Sequence, residues 1–281
     1  MTFYRSFTSK RVLPGFTISL GSSLFFISLV ILLPLTGLIM QVSELSLAQY
    51  WQIITDERVV ASYKVTLSAA AVATVINLLF GLLMAWILTR YRFPGRLLLD
   101  GLMDLPFALP TAVAGLTLAA LLSTSGWLGQ YLALWDIKVS YTWLGIVAAM
   151  IFTSIPFVVR TVQPVLEEFG PEYEEAAATL GSSPWQTFWR VIFPEIKPAL
   201  LTGTALSFTR SIGEFGAVIF IAGNIPWQTE VTSLMIFVRL QEFDYAGASA
   251  IASVVLLASL LLLFIINGIQ QRYQHITGGL R

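Results

Sequence analysis

The chain has 281 residues, of which 56% are hydrophobic and only 11% are charged, whereas soluble domains usually carry about a quarter charged residues. This composition predicts a membrane protein. The net charge is zero, with 16 basic and 16 acidic residues, which gives no reason to expect a nucleic-acid partner. Because cysteine is absent and His275 is the only histidine, the sequence argues against disulfides, thiol nucleophiles and histidine acid–base chemistry. We predict no catalytic residue and no metal site.

Six stretches are long and apolar enough to cross a membrane as helices, which takes roughly 20 mostly apolar residues. The first stretch comes after the basic residues Arg5, Lys10 and Arg11, an arrangement also found in signal peptides. Its run of about 25 residues, however, is longer than the apolar region of a cleaved signal. We therefore predict an all-α integral membrane protein with six transmembrane helices in one domain, 1–281. The predicted spans are 16–40, 65–88, 105–122, 141–159, 199–222 and 246–269.

The orientation in the membrane follows from the positions of lysine and arginine, which favour the cytoplasmic side. Eleven of the 16 basic residues fall near the termini or in the second and fourth connections, and four fall in the connections of the opposite side. This distribution predicts cytoplasmic N- and C-termini and a cytoplasmic segment 170–193. The eleven are Arg5, Lys10, Arg11, Arg90, Arg92, Arg96, Arg160, Arg190, Lys197, Arg272 and Arg281.

Small residues recur at every fourth position on three of the predicted spans. Lipid gives no hydrophobic reward for helix pairing, so close backbone approach through small residues matters there. We interpret these rows mainly as faces on which helices pack. A role in lining a pathway is the less favoured alternative. The rows are Ala69, Ala73, Asn77, Gly81 and Ala85; Thr111, Gly115, Ala119 and Ser123; and Gly203, Ser207 and Ser211.

Prolines occur at two places where a membrane helix would bend. Pro110 lies near the start of the third span and Pro156 interrupts the fourth, and proline frees a carbonyl and bends the helix axis. Two interpretations stay open: the bends shape a gate, or they merely fit the bundle. Asp100 and Asp104, which precede the third span, are expected at the membrane interface.

The polar segment 170–193 reads as two short amphipathic helices joined at Gly181. Glutamates occupy the first turn of the first helix, and Ser183 can cap the second, which Pro194 is expected to stop. Each helix carries apolar residues at i, i+3, i+4 and i+7, which place them on one face. The two stripes are Tyr173, Ala176, Ala177 and Leu180, and Trp185, Phe188, Trp189 and Ile192.

Helices of about ten residues are marginal in water and need a surface to lie against. One candidate is the lipid surface, but lipid-surface helices favour lysine and arginine because the cytoplasmic leaflet is negative. This segment carries three glutamates and only Arg190. We therefore favour a protein partner that receives the segment in a groove.

A charged pair lies within the fifth predicted span. Arg210 and Glu214 are four residues apart, and a charge at mid-membrane costs roughly 2.5 to 3.5 kcal/mol on insertion scales. The pair is either a structural ion pair of the bundle or a site beside the route of an anion, with Glu214 neutralising Arg210 when no anion is present.

The residues from Glu175 to Pro194 carry a resemblance to a known family. E-A-A, three residues, Gly, nine residues and then I-x-L-P form the EAA signature of permeases of ATP-binding cassette (ABC) importers, and this chain is similar to it throughout, with Val191 and Phe193 replacing the isoleucine and leucine. The resemblance implies docking on an ATPase. It assigns coupling to Tyr173, Glu175, Ala176, Ala177, Leu180, Gly181 and Pro194, of which Glu175 and Gly181 are expected to be the most sensitive.

The resemblance extends along nearly the whole chain to CysT-type permease subunits of sulfate/thiosulfate importers. It rests on "TRYRFPGR", "DLPFALPTAVAGLTL", "DIKVSYTWLGI", "FVVRTVQPVLEE" and "SFTRSIGEFGAVIFIAGNI". Molybdate and tungstate permeases are similar around "GEFGA", so another oxyanion stays an alternative. The implied architecture is that of a type I ABC importer in the bacterial inner membrane, working by alternating access.

The same resemblance implies a set of partners. These are a sister permease of the CysW type, two ATPases of the CysA type, a periplasmic sulfate/thiosulfate-binding protein and membrane lipid, although a pair of identical permeases stays open. The chain itself lacks the G-x-x-x-x-G-K-[ST] motif, so we expect no cofactor bound by this chain, with ATP and Mg on the partner ATPase.

Two other classes of function compete with this interpretation. An ion-coupled secondary transporter would call for intramembrane carboxylates or inverted repeats, whereas Glu214 is the only clear mid-span carboxylate and has an arginine partner. An intramembrane enzyme would need a nucleophile with a base or a metal cluster, and the sequence supplies neither.

Overall fold

The computed structural model describes residues 15–277, except for the side chains of Thr17, Asn267 and residues 269–277. Within these residues every regular element is helical and there is no strand, which confirms the all-α prediction. Part of the charge pattern that predicts the orientation lies outside the described residues, namely Arg5, Lys10, Arg11 and Arg281.

Fourteen α-helices and two π-helical segments follow one another along the described chain. The π segments are Ser28–Leu32 and Phe188–Ile192. The α-helices are α1 (Phe16–Ile27), α2 (Leu33–Ser43), α3 (Leu47–Ile54), α4 (Glu57–Arg90), α5 (Arg96–Ala108), α6 (Thr111–Leu122), α7 (Gly129–Ala133), α8 (Trp143–Glu168), α9 (Glu172–Thr179), α10 (Pro184–Thr187), α11 (Phe193–Ile212), α12 (Val218–Ile221), α13 (Thr232–Gln241) and α14 (Tyr245–Thr277).

Four stretches of described helix are long and apolar enough to cross a membrane, and they overlap the first, second, fourth and sixth predicted spans. The third predicted span, 105–122, is not one straight helix, because α5 and α6 meet at an angle of 113°. The bend follows from Pro110, which caps α6 and forces the preceding residue Leu109 into an extended conformation. Counting this bent pair as one span gives five.

The fifth predicted span, 199–222, is wrong as a continuous helix. Helix α11 ends at Ile212, the chain runs without helix through residues 213–217, and α12 is only four residues long. The interruption predicted at Pro156 is also wrong, since α8 continues through both Pro156 and Pro164. A helix packed among others tolerates an internal proline because its neighbours and local adjustments compensate for the lost hydrogen bond.

Helices α4, α8 and α11 form the centre of the molecule, and small residues let their backbones approach. A Cβ atom added at Gly81 would lie 2.7 Å from the Cβ of Val158, and one at Gly203 would lie 2.9 Å from the Cα of the same valine. The packing interpretation is therefore confirmed for these two glycines.

Buried hydroxyl and amide groups join the same three helices. The Nδ2 of Asn77 donates to the Oγ of Ser154 at 2.8 Å and to the Oγ of Ser207 at 3.2 Å. The hydroxyls of Ser154 and Ser211 share a bond of 3.0 Å. Three members of the predicted small-residue rows, Asn77, Ser207 and Ser211, thus contribute polar contacts as well as space.

We expect Gly81→Val to destabilise the protein by about 1 to 3 kcal/mol, because the new side chain must displace the rigid β-branched Val158. The measurement is the thermal unfolding midpoint in detergent. Gly37→Val is the matched control, since Gly37 is also helical and an added Cβ there meets nothing within 4 Å. Equal midpoints for the two variants would contradict the packing role of Gly81.

Candidate functional site

The elbow, defined here as residues 170–193, is built from strong local signals. Helix α9 has three glutamates in its first turn, which interact favourably with the positive end of the helix dipole. It ends in a Schellman motif at Gly181, whose φ is +80°. The amide of Ser182 donates to the carbonyl of Ala177 at 3.0 Å, and that of Gly181 donates to Ala178 at 2.9 Å. The predicted glycine joint is therefore present.

The second half of the elbow begins with a capping box. The hydroxyl of Ser183 accepts the amide of Gln186 at 3.3 Å, and the Gln186 side chain accepts the amide of Ser183 at 3.1 Å. The predicted stop at Pro194 is wrong. The chain continues from α10 through the π segment into α11, and Pro194 lies directly after the π segment, where the regular backbone hydrogen-bond pattern already changes.

Arg90, the last residue of α4, fastens the elbow to the bundle. Its guanidinium donates to the carbonyls of Leu166 at 2.9 Å and Phe169 at 2.8 Å, and its Nε lies 2.8 Å from the Oε1 of Glu174. It also lies over the ring of Trp86 at 5.6 Å. Our sequence analysis used Arg90 only as an orientation charge, because no periodicity connects it with residues so far along the chain.

The apolar stripe of α9 stays uncovered within this chain. Of its four residues only Ala177 is buried, whereas Tyr173 and Ala176 are exposed and Leu180 is 88% exposed. Glu175 is exposed on the same helix. Helix α9 is acidic, exposes an apolar stripe and is held on its other side by Arg90. Such a surface is suited to a protein partner.

The stripe of the second half divides between two environments, contrary to the prediction of one continuous face. Ile192 is buried, and Phe188 packs edge-on against Trp86 with ring centroids 5.8 Å apart. Trp185 is 71% exposed and Trp189 is also exposed. The side chains of Trp185 and Trp189 therefore remain on the surface of this chain, whereas Phe188 and Ile192 belong to its interior packing.

The predicted charged pair forms, but in a different backbone setting. The Nη1 of Arg210 lies 2.6 Å from the Oε2 of Glu214, which is beyond the end of α11. The Oε1 of Glu214 accepts the amide of Ala217 at 2.9 Å, and its backbone carbonyl accepts the hydroxyl of Ser233 at 2.8 Å. The side chain of Glu214 is 1% exposed and that of Arg210 is 33% exposed. The carboxylate is therefore fixed, while the guanidinium is partly exposed at the surface of this chain.

The bend at Pro110 lies against this break in α11. Helix α6 packs on α12, and a Cβ at Gly115 would overlap the carbonyl of Ala217. A Cβ at Gly216 would likewise overlap the hydroxyl of Thr111. Pro156 is buried in α8. The structure thus brings the first two of these predicted features together.

No group of three or more His, Asp or Glu side chains among the residues that the structure describes could hold a metal ion. The candidate features are instead the exposed surface of α9 and a charged break in a helix. Neither offers a nucleophile with its base.

Comparisons with known proteins agree on a membrane transport component. The family model "Binding-protein-dependent transport system inner membrane component" matches residues 77–275. The chain is 72% identical to the "Sulfate transport system permease protein CysT" of Escherichia coli (strain K12), covering 95% of this chain and 96% of that protein. It is 73% identical to the protein of the same name from Salmonella typhimurium, with the same two coverages.

A solved structure of similar fold is described as "Crystal structure of bacterial alginate ABC transporter in complex with alginate pentasaccharide-bound periplasmic protein". The TM-score is 0.76, and the match covers 91% of this chain and 93% of that chain. At 17% identity this similarity concerns the fold alone.

We expect Arg90→Gln to loosen the elbow, since it removes charge-assisted contacts to α8 and α9. Loss of about 1.5 kcal/mol would raise the backbone hydrogen-exchange rate of residues 172–179 by roughly tenfold. The control is Arg92→Gln, because Arg92 is an exposed arginine close by in the chain. Unchanged exchange in the first variant would show that Arg90 does not hold the elbow.

Proposed function

Because the chain belongs to the family of binding-protein-dependent transport system inner membrane components, we propose that it is the membrane-spanning permease subunit of an ATP-driven importer for sulfate and thiosulfate. The predicted resemblance to CysT-type permeases is confirmed by identities of 72% and 73% to the two bacterial relatives. Nearly the whole length of each relative is matched, which supports the same cargo. The chain is a transport subunit and not an enzyme.

The observation that carries this proposal is the uncovered acidic surface of α9. Tyr173, Glu175, Ala176 and Leu180 are all exposed, although this helix is capped at its end and fastened by Arg90. A surface kept rigid but unburied is prepared to bind without a large loss of conformational entropy. A nucleotide-hydrolysing subunit that docks here would push on α8 and α11, the helices that precede and follow the elbow in the chain.

The proposed assembly contains a sister permease of the CysW type, two ATPases of the CysA type and a periplasmic binding protein for sulfate and thiosulfate. ATP and Mg would be held by the ATPases, with no cofactor on this chain. The distribution of lysine and arginine supports cytoplasmic termini and a cytoplasmic elbow in the bacterial inner membrane. Six crossings require that the bent pair α5–α6 and the broken pair α11–α12 each count as one.

Arg210 and Glu214 suit the passage of a divalent anion. An isolated arginine would hold such an anion tightly, whereas Arg210 can return to Glu214, 2.6 Å away in this structure, once the anion leaves. Glu214 is held by the amide of Ala217, so the guanidinium is the partner that can turn towards the anion. The pair would thus give weak, reversible binding, as a transport pathway requires.

The docking proposal is tested by crosslinking, for which the cysteine-free chain is well suited. We expect Leu180→Cys to crosslink to a nucleotide-hydrolysing subunit when membranes containing the whole complex are treated with a thiol-reactive photoprobe. The matched control is Leu47→Cys, since the two leucines are 88% and 89% exposed and Leu47 is predicted on the opposite side of the membrane. Products from Leu180→Cys that contain only phospholipid would contradict docking.

The transport proposal is tested in vesicles that contain the assembled complex. We expect Arg210→Ala to abolish ATP-driven uptake of radiolabelled sulfate while the subunits still co-purify, because the exposed cation is lost and buried Glu214 keeps its bond to Ala217. Loss of assembly would favour a purely structural pair. Uptake by the unmodified complex that follows an ion gradient and not ATP would favour a secondary transporter, and uptake of molybdate in preference to sulfate would identify another oxyanion.

A further inference from the structure

Arg160 connects the bent pair of helices to the centre of the bundle. It lies on α8, and its guanidinium donates to two carboxylates that are one turn apart on α5. The bonds to Asp104 are 2.7 Å from Nε and 2.7 Å from Nη2, and the bond to the side chain of Asp100 is 2.6 Å from Nη1. Nη2 also donates to the backbone carbonyl of Asp100 at 2.8 Å. A planar fork with this many acceptors resists sliding of one helix past the other.

A second contact makes this junction stiffer. The rings of Phe107 on α5 and Phe157 on α8 meet edge to face with centroids 5.4 Å apart. The Nη1 of Arg160 also donates to the Oε1 of Gln163 at 2.8 Å, which orients the guanidinium from its own helix. The arginine is therefore held on both sides, so that α5 has to follow a displacement of α8.

The elbow end of α8 lies only eight residues from Arg160, about 12 Å along a helix. There Phe169 stacks on Tyr173 of α9 with ring centroids 4.4 Å apart, and Arg90 binds the carbonyls of Leu166 and Phe169. A push on α9 is thus delivered to the same rigid helix that carries Arg160.

The other end of the arm formed by α5 and α6 rests on the seat of Glu214. After the bend at Pro110, Gly115 touches the backbone at Ala217, the residue whose amide binds Glu214. Arg210 belongs to a different arm, because α11 reaches it directly from the elbow through the π segment. Glu214 follows Arg210 by four residues in the chain, but its seat at Ala217 is also held by α6, which gives the elbow a second route to this member of the pair.

We propose that Arg160 is a positioning residue for transport: by fastening α5 to α8 it makes movement of the elbow change the separation of Arg210 and Glu214. This inference rests on the proposed function. One arm is α11 and the other runs through α8, α5 and α6. Because both begin at the elbow and act on oppositely charged residues, a displacement of the elbow opens or closes the Arg210–Glu214 pair. Helix α8 also packs directly on α6 and α12, and the Arg160 junction adds α5 to the part of the molecule that moves with α8.

The test compares ATP hydrolysis with uptake of radiolabelled sulfate in vesicles that contain the complete complex. We expect Arg160→Gln to lower the amount of sulfate transported per ATP hydrolysed by about tenfold, within the usual range of coupling between sites. Hydrolysis itself should persist, because the docking surface is intact. Arg239→Gln is the matched control, since Arg239 also pairs with an aspartate and both arginine side chains are 29% exposed.

Two further variants keep the result decisive. The double variant Asp100→Asn with Asp104→Asn removes the same ion pairs from the α5 side and should show the same fall, even if Arg160→Gln fails to assemble. Arg160→Lys keeps the charge but not the fork and should restore part of the ratio. A normal ratio in the double variant would overturn the role of Arg160. Absence of ATP-driven uptake in the unmodified complex would contradict the proposed function and, with it, this inference.

Discussion

A break in a helix leaves backbone groups without their helical partners, and the interior of this protein depends on how Glu214 meets that constraint. The carboxylate accepts the amide of Ala217 and pairs with Arg210, while the carbonyl of Glu214 accepts Ser233. One residue thereby closes the gap between α11 and α12 and neutralises the cation before it. The cost of burying the carboxylate is offset by Arg210 and by the backbone amide of Ala217. Glu214 is consequently tied to the backbone, and Arg210 is the more exposed member of the pair.

Close packing of backbones is what allows this break to exist. Gly115 and Gly216 bring α6 against the segment after Glu214, where any side chain at either position would overlap a neighbour. Gly81 and Gly203 bring α4 and α11 against Val158 in the same manner. Because apolar lipid does not drive helices together, this shape complementarity and the buried bonds around Asn77 hold the centre.

Features set by neighbouring residues were predictable from the sequence, and features set by distant ones were not. The end of α9 at Gly181 and the cap at Ser183 each involve residues within a few positions, so the pattern alone indicated them. The role of Arg90 depends on α8 and α9, which no periodicity relates to it. The break after Ile212 was missed because the hydropathy of 199–222 does not depend on whether its backbone is helical.

The two prolines show the same limit for a single residue type. Pro110 ends a helix because the residue before it is extended, whereas Pro156 lies inside a continuous α8 that its neighbours support on several sides. Sequence alone offers the same residue with the same missing donor in both places. The difference is decided by packing. Packing also places Thr111, the residue after Pro110, against Gly216 in the break that follows α11.

The rigidity of the elbow connects its exposed surface with the Arg210–Glu214 pair. A helix of eight residues would fray in water, yet α9 is capped at Gly181, stacked through Tyr173 and held by Arg90. Because α9 is already ordered, docking does not cost the conformational entropy of ordering it. A rigid helix also transmits a displacement that a flexible segment would not. Both helices next to the elbow in the chain are continuous: α11 leads to Arg210 and Glu214, and α8 is fastened through Arg160 to α5. The rigid part of the molecule therefore begins at the surface where a partner would act and ends at the charges where an anion would pass.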